Sequence, residues 1–209
     1  MDESLPVSLF VLRHGPTAWN EEGRIQGRSD IPLSPAGESL VSAWRLPRSV
    51  ANWVGYCSPL ARTCRTADLL GLPSSKRDDR LIEMSWGEWE GRSLSELRTE
   101  LGEKMSHMES LGLDFRPPGG ESPRLVQERL KPLLSHLSAR GRPAVIITHK
   151  GVLRALYALA SNWDMAGKPS VKLRDGHGHF FRLLKGASAA IGVSRLNVPL
   201  IGPGHNDAG

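Results

Sequence analysis

Apolar runs alternate along the chain with amphipathic ones, and that alternation sets the expected elements. "SLFVL" and "AVIITH" are short, continuously apolar and rich in branched side chains, the pattern of strands buried on both faces. "WVGYCS" reads as a further short strand, and "RLIEMSW" as extended chain before a turn at "GEWEG". Between these runs the periodicity changes. "SPAGESLVSAWRLP" opens with Ser34 as N-cap and Pro35 at the first helical position, with Glu38 in the first turn, and predicts a helix. "PLARTCRTADLLG" predicts a helix closed by Gly71. "SLSELRTELGEKMSHMESL" predicts one helical stretch opened by a Ser93–Glu96 capping box. "SPRLVQERLKPLLSHLSARG" predicts a helix from cap Ser122 to Gly141, with Pro132 inside it as a kink or a break. "KGVLRALYALAS" is an apolar helix behind "AVIITH", and "VKLRDGHGHFFRLLKG" with "IGVSRLNVPL" supplies one or two closing strands.

Strands separated by helices predict an α/β fold, a three-layer α/β/α sandwich around a mostly parallel central sheet. No composition shift, repeat or linker divides the chain. Residues 1–200 therefore read as a single domain, and 201–209, "IGPGHNDAG", as a flexible tail.

Composition narrows the class. Apolar residues at 39% and charged residues at 23% match an ordinary globular protein. No apolar run approaches the ~20 residues of a membrane span. The opening "MDESLPVSLF" carries acids where a secretory signal would carry bases, so a cytoplasmic protein is expected, with Cys57 and Cys64 reduced. The net charge of +5 raises the question of nucleic acid. The basic residues are scattered and broken by acids and prolines, with no aromatic-interleaved stripe, which argues against nucleic acid and membrane partners. A mild positive field suits a small anionic substrate instead.

The candidate chemistry lies at strand ends. "LFVL" runs into Arg13-His14, "AVIIT" runs into His149, and "VGYCSP" leads to a helix carrying Arg62 and Arg65. In open α/β sheets ligands bind beyond the carboxyl ends of the strands. If these strands are parallel neighbours, two histidines and two arginines gather at one edge. Arginine's planar fork suits phosphate, and a neutral histidine beside it can act as nucleophile. Each residue alone has a plainer reading, as a hydrogen-bonded structural histidine or a surface charge.

Taken together, "LRHGPTAWN", "GRIQGRSDIPLSPAGE", "SPLARTCRTADLL", "LIEMSWGEWEG", "PPGGES", "IITHKGVLRAL" and "LNVPL" resemble, in order and spacing, the histidine phosphatase superfamily, which includes cofactor-dependent phosphoglycerate mutases. The resemblance runs from about Leu9 to Leu200. It implies a phosphoglycerate mutase-like fold and metal-independent hydrolysis of a small phosphomonoester, with no cofactor. It implies His14 as the nucleophile that becomes a phosphohistidine, Arg13 and Arg62 on the phosphoryl oxygens, and Asn20 as a further phosphate contact. His149 would donate a hydrogen bond to the same group. Glu83 would protonate the leaving oxygen, with Glu88, Glu90 and Glu121 as rivals for that role. The alternatives are a phosphoglycerate mutase, which shares these residues but carries a long insertion after the glutamate segment, and a non-catalytic binding module. Related proteins are often dimers, which leaves a homodimer open.

Other residues carry two readings. His177 and His179, spaced by two, could face one side as metal ligands or serve as polar residues at a strand start. Trp86 and Trp89 are pocket wall or core packing. Arg65 is an ion-pair partner rather than a ligand. His107, His136 and His205 are expected to be exposed. Met105, Met108, Leu111, Leu113 and Phe115, within the covering segment from Arg92 to Arg116, line an apolar pocket wall or pack against the sheet.

Overall fold

The computed structural model describes residues 6–184 and 190–200. The expected tail at 201–209, with His205, lies outside them. Six strands form one sheet in the order β3-β2-β4-β1-β5-β6. They are β1 (Val7–Arg13), β2 (Val54–Cys57), β3 (Lys76–Arg77), β4 (Ala144–Thr148), β5 (His177–Leu183) and β6 (Ile191–Pro199). The first four are mutually parallel, whereas β5 runs antiparallel to β1 and β6 antiparallel to β5. The mostly parallel sheet is therefore as the alternation of patterns predicts.

β1 and β4 sit in the middle, which is why their central runs, Leu9 to Leu12 and Ala144 to Ile147, are apolar at every position rather than at every second one. The side chains alternate faces. Leu9, Val11 and Ile146 join the core on one side, packed by α6 (Pro123–Arg140) and α7 (Lys150–Ser161). Phe10, Leu12, Val145 and Ile147 join the core on the other, beneath α2 (Pro35–Ala43) and α3 (Ala61–Leu69). This is the three-layer sandwich. Among the described residues no helix is long and apolar enough to cross a membrane.

The caps fall where expected. The hydroxyl of Ser34 accepts from Gly37, that of Ser122 from Leu125, and Ser93 with Glu96 forms the capping box. Two expectations are corrected, and one of two alternatives is excluded. "RLIEMSW" joins no sheet: Asp78 caps a single 3-10 turn over Asp79–Leu81, and the chain then runs irregularly. The stretch after Ser93 is two helices, α4 (Leu94–Leu101) and α5 (Glu103–Ser110), because Gly102 takes a positive φ of 49° that helix cannot continue through. Pro132 breaks nothing, and α6 is continuous across it. The remaining helix, α1 (Ala18–Glu21), is a single turn capped by Thr17. Cys57 and Cys64 are free thiols.

Candidate active site

Strand register builds the site. Arg13 pairs with Thr148, and Cys57 with Ile147, so β1, β4 and β2 end at one level. The next backbone bonds continue the ladder: His14 N–H donates to the Thr148 carbonyl at 3.0 Å, and Ser58 N–H to the Ile147 carbonyl at 3.1 Å. Ser58, His149 and His14 thus stand side by side just past three parallel strands. The two imidazole centres are 5.1 Å apart.

The hydrogen bonds fix the state of each ring. His14 Nδ1 lies 2.6 Å from the Gly15 carbonyl, which can only accept, so Nδ1 carries the proton and Nε2 keeps its lone pair. Nε2 has no partner among the described residues, and it is not sealed from solvent. Burial, then the charges of Arg13 and Arg62, hold the His14 pKa well below 6.5. His149 is the mirror case. Arg62 Nε–H donates to its Nδ1 at 3.3 Å, so Nε2 carries the proton and meets Ser58 Oγ at 2.8 Å. Burial, His14 and Arg62 push His149 down in the same way. Two neutral imidazoles result, one with an available lone pair.

Arg62 is the largest wholly buried side chain. Besides His149 it bonds the carbonyls of Ser29 and Gly27, each at 2.8 Å. That loop is held in turn by Glu90, whose carboxylate accepts from Arg28 N, Ser29 N, Ser29 Oγ and Trp86 N. Glu90 is thus a loop anchor. Glu121 is committed to Arg28, Arg129 and Ser85 N, and Glu88 is exposed. Of the four glutamates only Glu83 is left in the buried cluster.

Glu83 lies in the irregular segment after Leu81, where α7 begins. Its carboxylate accepts from Met84 N at 2.8 Å and from Gly151 N at 3.1 Å. Burial pushes its pKa above 4.5, against the pull of those two N–H groups and of Arg62 and Arg13. Gly151 is required for space. A Cβ there would come within 2.5 Å of Glu83 Oε1. Gly151→Ala should therefore displace the carboxylate. A fall in kcat of about 10- to 100-fold is expected with no loss of melting temperature, since alanine suits a helix better than glycine. Steady-state kinetics beside a thermal melt checks this.

Arg13 reaches from β1 to Asp175 at 2.8 Å, and its buried Nε has no partner among the described residues. Asn20 spends its Oδ1 on Thr17 N in the α1 cap, which leaves the amide N–H groups as its donors. Gly15 proves necessary for packing: a Cβ there would meet Val41 Cγ2 at 2.3 Å, and its N–H is held by Thr66. Arg65 pairs with Glu38 on the surface, and His107 and His136 are exposed.

Among the described residues no three His, Cys, Asp or Glu side chains converge on a metal position. His177 Nδ1 faces the Asp175 carbonyl, whereas His179 is buried and accepts from Asn197 N. Trp86, Trp89 and Phe115 stack on one another and, with Leu97, Met105 and Met108, give the covering helices a small core of their own. Leu111 is exposed.

Three residues were not singled out in advance: Ser58, Thr66 and Asp175. Ser58 and Thr66 stand in the quoted "SPLARTCRTADLL" segment, so position marked them without marking their role. Asp175 lies 162 residues from Arg13, and nothing local flags it.

Known proteins resemble this chain in sequence and fold. Residues 9–184 match the model of the histidine phosphatase superfamily (branch 1). The chain is 31% identical, over 77% of its length and 79% of the relative's, to phosphoserine phosphatase 1 of Hydrogenobacter thermophilus. It is 29% identical, over 90% and 96% respectively, to a 2,3-bisphosphoglycerate-dependent phosphoglycerate mutase of Azorhizobium caulinodans. A mycobacterial glucosyl-3-phosphoglycerate phosphatase, solved with vanadate, superposes with a TM-score of 0.73 at 26% identity, covering 92% of this chain and 99% of that one.

Proposed function

Since the chain belongs to the histidine phosphatase superfamily, we propose that it hydrolyses a small phosphomonoester through a phosphohistidine on His14. The observation that carries this reading is the free Nε2 lone pair of a buried neutral His14, held by Gly15 and set beside Arg62 and His149. His14 Nε2 attacks phosphorus, the ester P–O bond breaks, and the leaving oxygen takes the proton of Glu83. The Glu83 carboxylate then takes a proton from water. That water's oxygen attacks phosphorus, the N–P bond breaks, and inorganic phosphate leaves. Arg13, Arg62 and Asn20 hold the phosphoryl oxygens. His149 contributes by exchanging its Nε2–H bond from Ser58 to a phosphoryl oxygen. Charge stabilisation and positioning of this kind carry most phosphoryl transfer.

The same residues support mutase chemistry, and the Azorhizobium mutase aligns over nearly its whole length. Chain length alone therefore does not separate the two. Hydrolysis is favoured by the short cover: α4 and α5 have eight residues each, with no long insertion after the glutamate segment. The substrates after which the relatives are named, phosphoserine, phosphoglycerate and glucosyl-3-phosphoglycerate, all join a carboxylate to the phosphate ester. A phosphorylated carboxylic acid is the first class to test. Phosphate release from p-nitrophenyl phosphate in excess EDTA, beside a phosphoglycerate interconversion assay, decides the reaction. Interconversion without release would move the assignment to mutase.

The pH dependence follows from the shifts. His14 must be neutral, and it protonates only as pH falls through a value well below 6.5. Glu83 must carry a proton, and it loses it as pH rises through a value above 4.5. The profile of kcat/KM should be a bell, with His14 setting the acid limb and Glu83 the alkaline limb. Glu83→Gln should remove that limb and lower the rate on an alkyl phosphate by about 10²- to 10⁴-fold. The loss on p-nitrophenyl phosphate should be smaller, because nitrophenolate leaves with little help. An unchanged alkaline limb in Glu83→Gln would remove Glu83 from the acid role.

A further inference from the structure

Glu83 is presented by a stretch of chain that belongs to no helix or strand. From Ile82 to Ser85 the backbone is irregular. Among the described residues neither the N–H nor the carbonyl of Glu83 meets another main-chain group. Its place is therefore set by how its neighbours are pinned, and most of the pins are side chains. Before Glu83, Thr148 Oγ1 donates to the Leu81 carbonyl at 2.8 Å. Arg129, from α6, donates to the Arg80 carbonyl at 2.5 Å and to the Ile82 carbonyl at 2.6 Å. After Glu83, Glu121 grips Ser85 from both sides. Its carboxylate accepts from Ser85 N at 3.0 Å, and its own N–H donates to the Ser85 carbonyl at 2.8 Å.

These two anchors are bonded to each other. Arg129 Nε donates to Glu121 Oε1 at 3.3 Å, and Arg129 Nη2 to Oε2 at 3.4 Å. Both side chains are only 17% exposed, so the contact is sheltered from water. The planar fork of arginine lets one side chain serve two carbonyls and a carboxylate at once. Glu121 Oε1 also accepts from Arg28 Nη2 at 2.9 Å. Arg28 stands between Gly27 and Ser29, whose carbonyls hold Arg62. One carboxylate thus ties the Glu83 segment to the loop that holds Arg62.

We propose that Glu121 and Arg129 are a positioning pair that fixes where the Glu83 carboxyl meets the leaving oxygen. Both act through the main chain on either side of Glu83 and not on the substrate. The inference rests on the phosphomonoesterase reading of the site and adds two residues to its machinery.

The test is a leaving-group series, because general-acid help matters more as the leaving oxygen becomes more basic. Values of kcat/KM are measured on p-nitrophenyl, phenyl and benzyl phosphate for the wild type, Arg129→Met and Glu121→Gln. Arg129→Met removes the fork. Glu121→Gln keeps the shape but turns one accepting oxygen into an NH2 group that faces donors. Each change should lower kcat/KM by about 10- to 100-fold on benzyl phosphate and by about threefold or less on p-nitrophenyl phosphate. A purely structural role would lower all three substrates equally, through the fraction of folded protein. Lys131→Gln, which removes an exposed cation from α6, should alter none of them. An equal loss across the series or no loss, in whichever variant melts cooperatively, would overturn the pair, as would failure of both variants to fold. Wild-type protein inactive on all three substrates would instead sink the phosphatase reading. The pair is then judged by carbon-13 titration of the Glu83 carboxyl, assigned with Glu83→Gln. That carboxyl should titrate above 4.5 in the wild type and fall back toward 4.5 in Glu121→Gln, and an unmoved titration would overturn the pair.

Discussion

His14→Ala is expected to lower phosphate release from p-nitrophenyl phosphate by at least about 10³-fold, because it removes the group proposed to form the covalent intermediate. The fold should survive. The residue's place in the sheet is fixed by its backbone N–H on the Thr148 carbonyl, which the change leaves alone. What is lost is an imidazole whose free Nε2 is the one unspent ring nitrogen of the pair; His149 has both of its nitrogens engaged by Arg62 and Ser58. A neighbouring histidine therefore cannot take over without breaking two bonds. Wild-type protein quenched during turnover should hold phosphate in an acid-labile, alkali-stable linkage, and His14→Ala should hold none. Retained activity in the variant would mean direct attack by water and would end the phosphohistidine mechanism.

Arg62→Met should reduce kcat/KM by about 10³-fold or more while leaving the protein folded. Of the five N–H donors of Arg62, three are used on His149, Ser29 and Gly27, and two remain for a phosphoryl group. Burial pushes its pKa down, with Glu83 and Asp30 opposing, yet among the described residues no carboxylate pairs with it directly. A buried cation held only by dipoles contributes little net stability, so an apolar side chain of similar length costs the fold modestly. The same imbalance makes a bound phosphate dianion stabilising. Inorganic phosphate should raise the melting temperature of the wild-type protein in proportion to its binding, and the rise should vanish in Arg62→Met. Arg62→Lys should not rescue, because a point charge cannot serve two carbonyls and a phosphoryl group at once.

The elements that the sequence made legible are those whose burial is two-sided or whose ends are chemically marked. The central runs of β1 and β4 are continuously apolar because they lie between other strands and under helices on both faces. α2 and α6 announce themselves through Ser34-Pro35 and Ser122-Pro123. β3 is two exposed residues, Lys76 and Arg77, and carries no apolar signal. "RLIEMSW" looks extended because its apolar residues are spaced as in a strand, but Asp78 offers its carboxylate to Arg80 N and turns the chain first. The candidate site divides in the same way. Arg13, His14, Arg62, Glu83 and His149 were visible as residue types at strand ends and in motif segments. Their tautomers, the service of Glu90 to the Arg62 loop, and the grip of Asp175 on Arg13 depend on contacts between distant segments. No local pattern encodes them.

Strand order has a consequence for how the protein is made. β1 leaves the ribosome first, yet its partners are β4 and β5, and Leu9 waits for Ala144. At roughly 5–20 residues per second, that wait is about 7–27 s. Throughout it the most apolar strand of the N-terminal half has no neighbour to close its ladder. β2 and β3 can pair in the interval, but they share no edge with β1. The nascent chain thus carries His14 long before it carries the wall that shapes it. The pairing of β1 and the shaping of the pocket around His14 are therefore completed together, in the step in which β4 emerges.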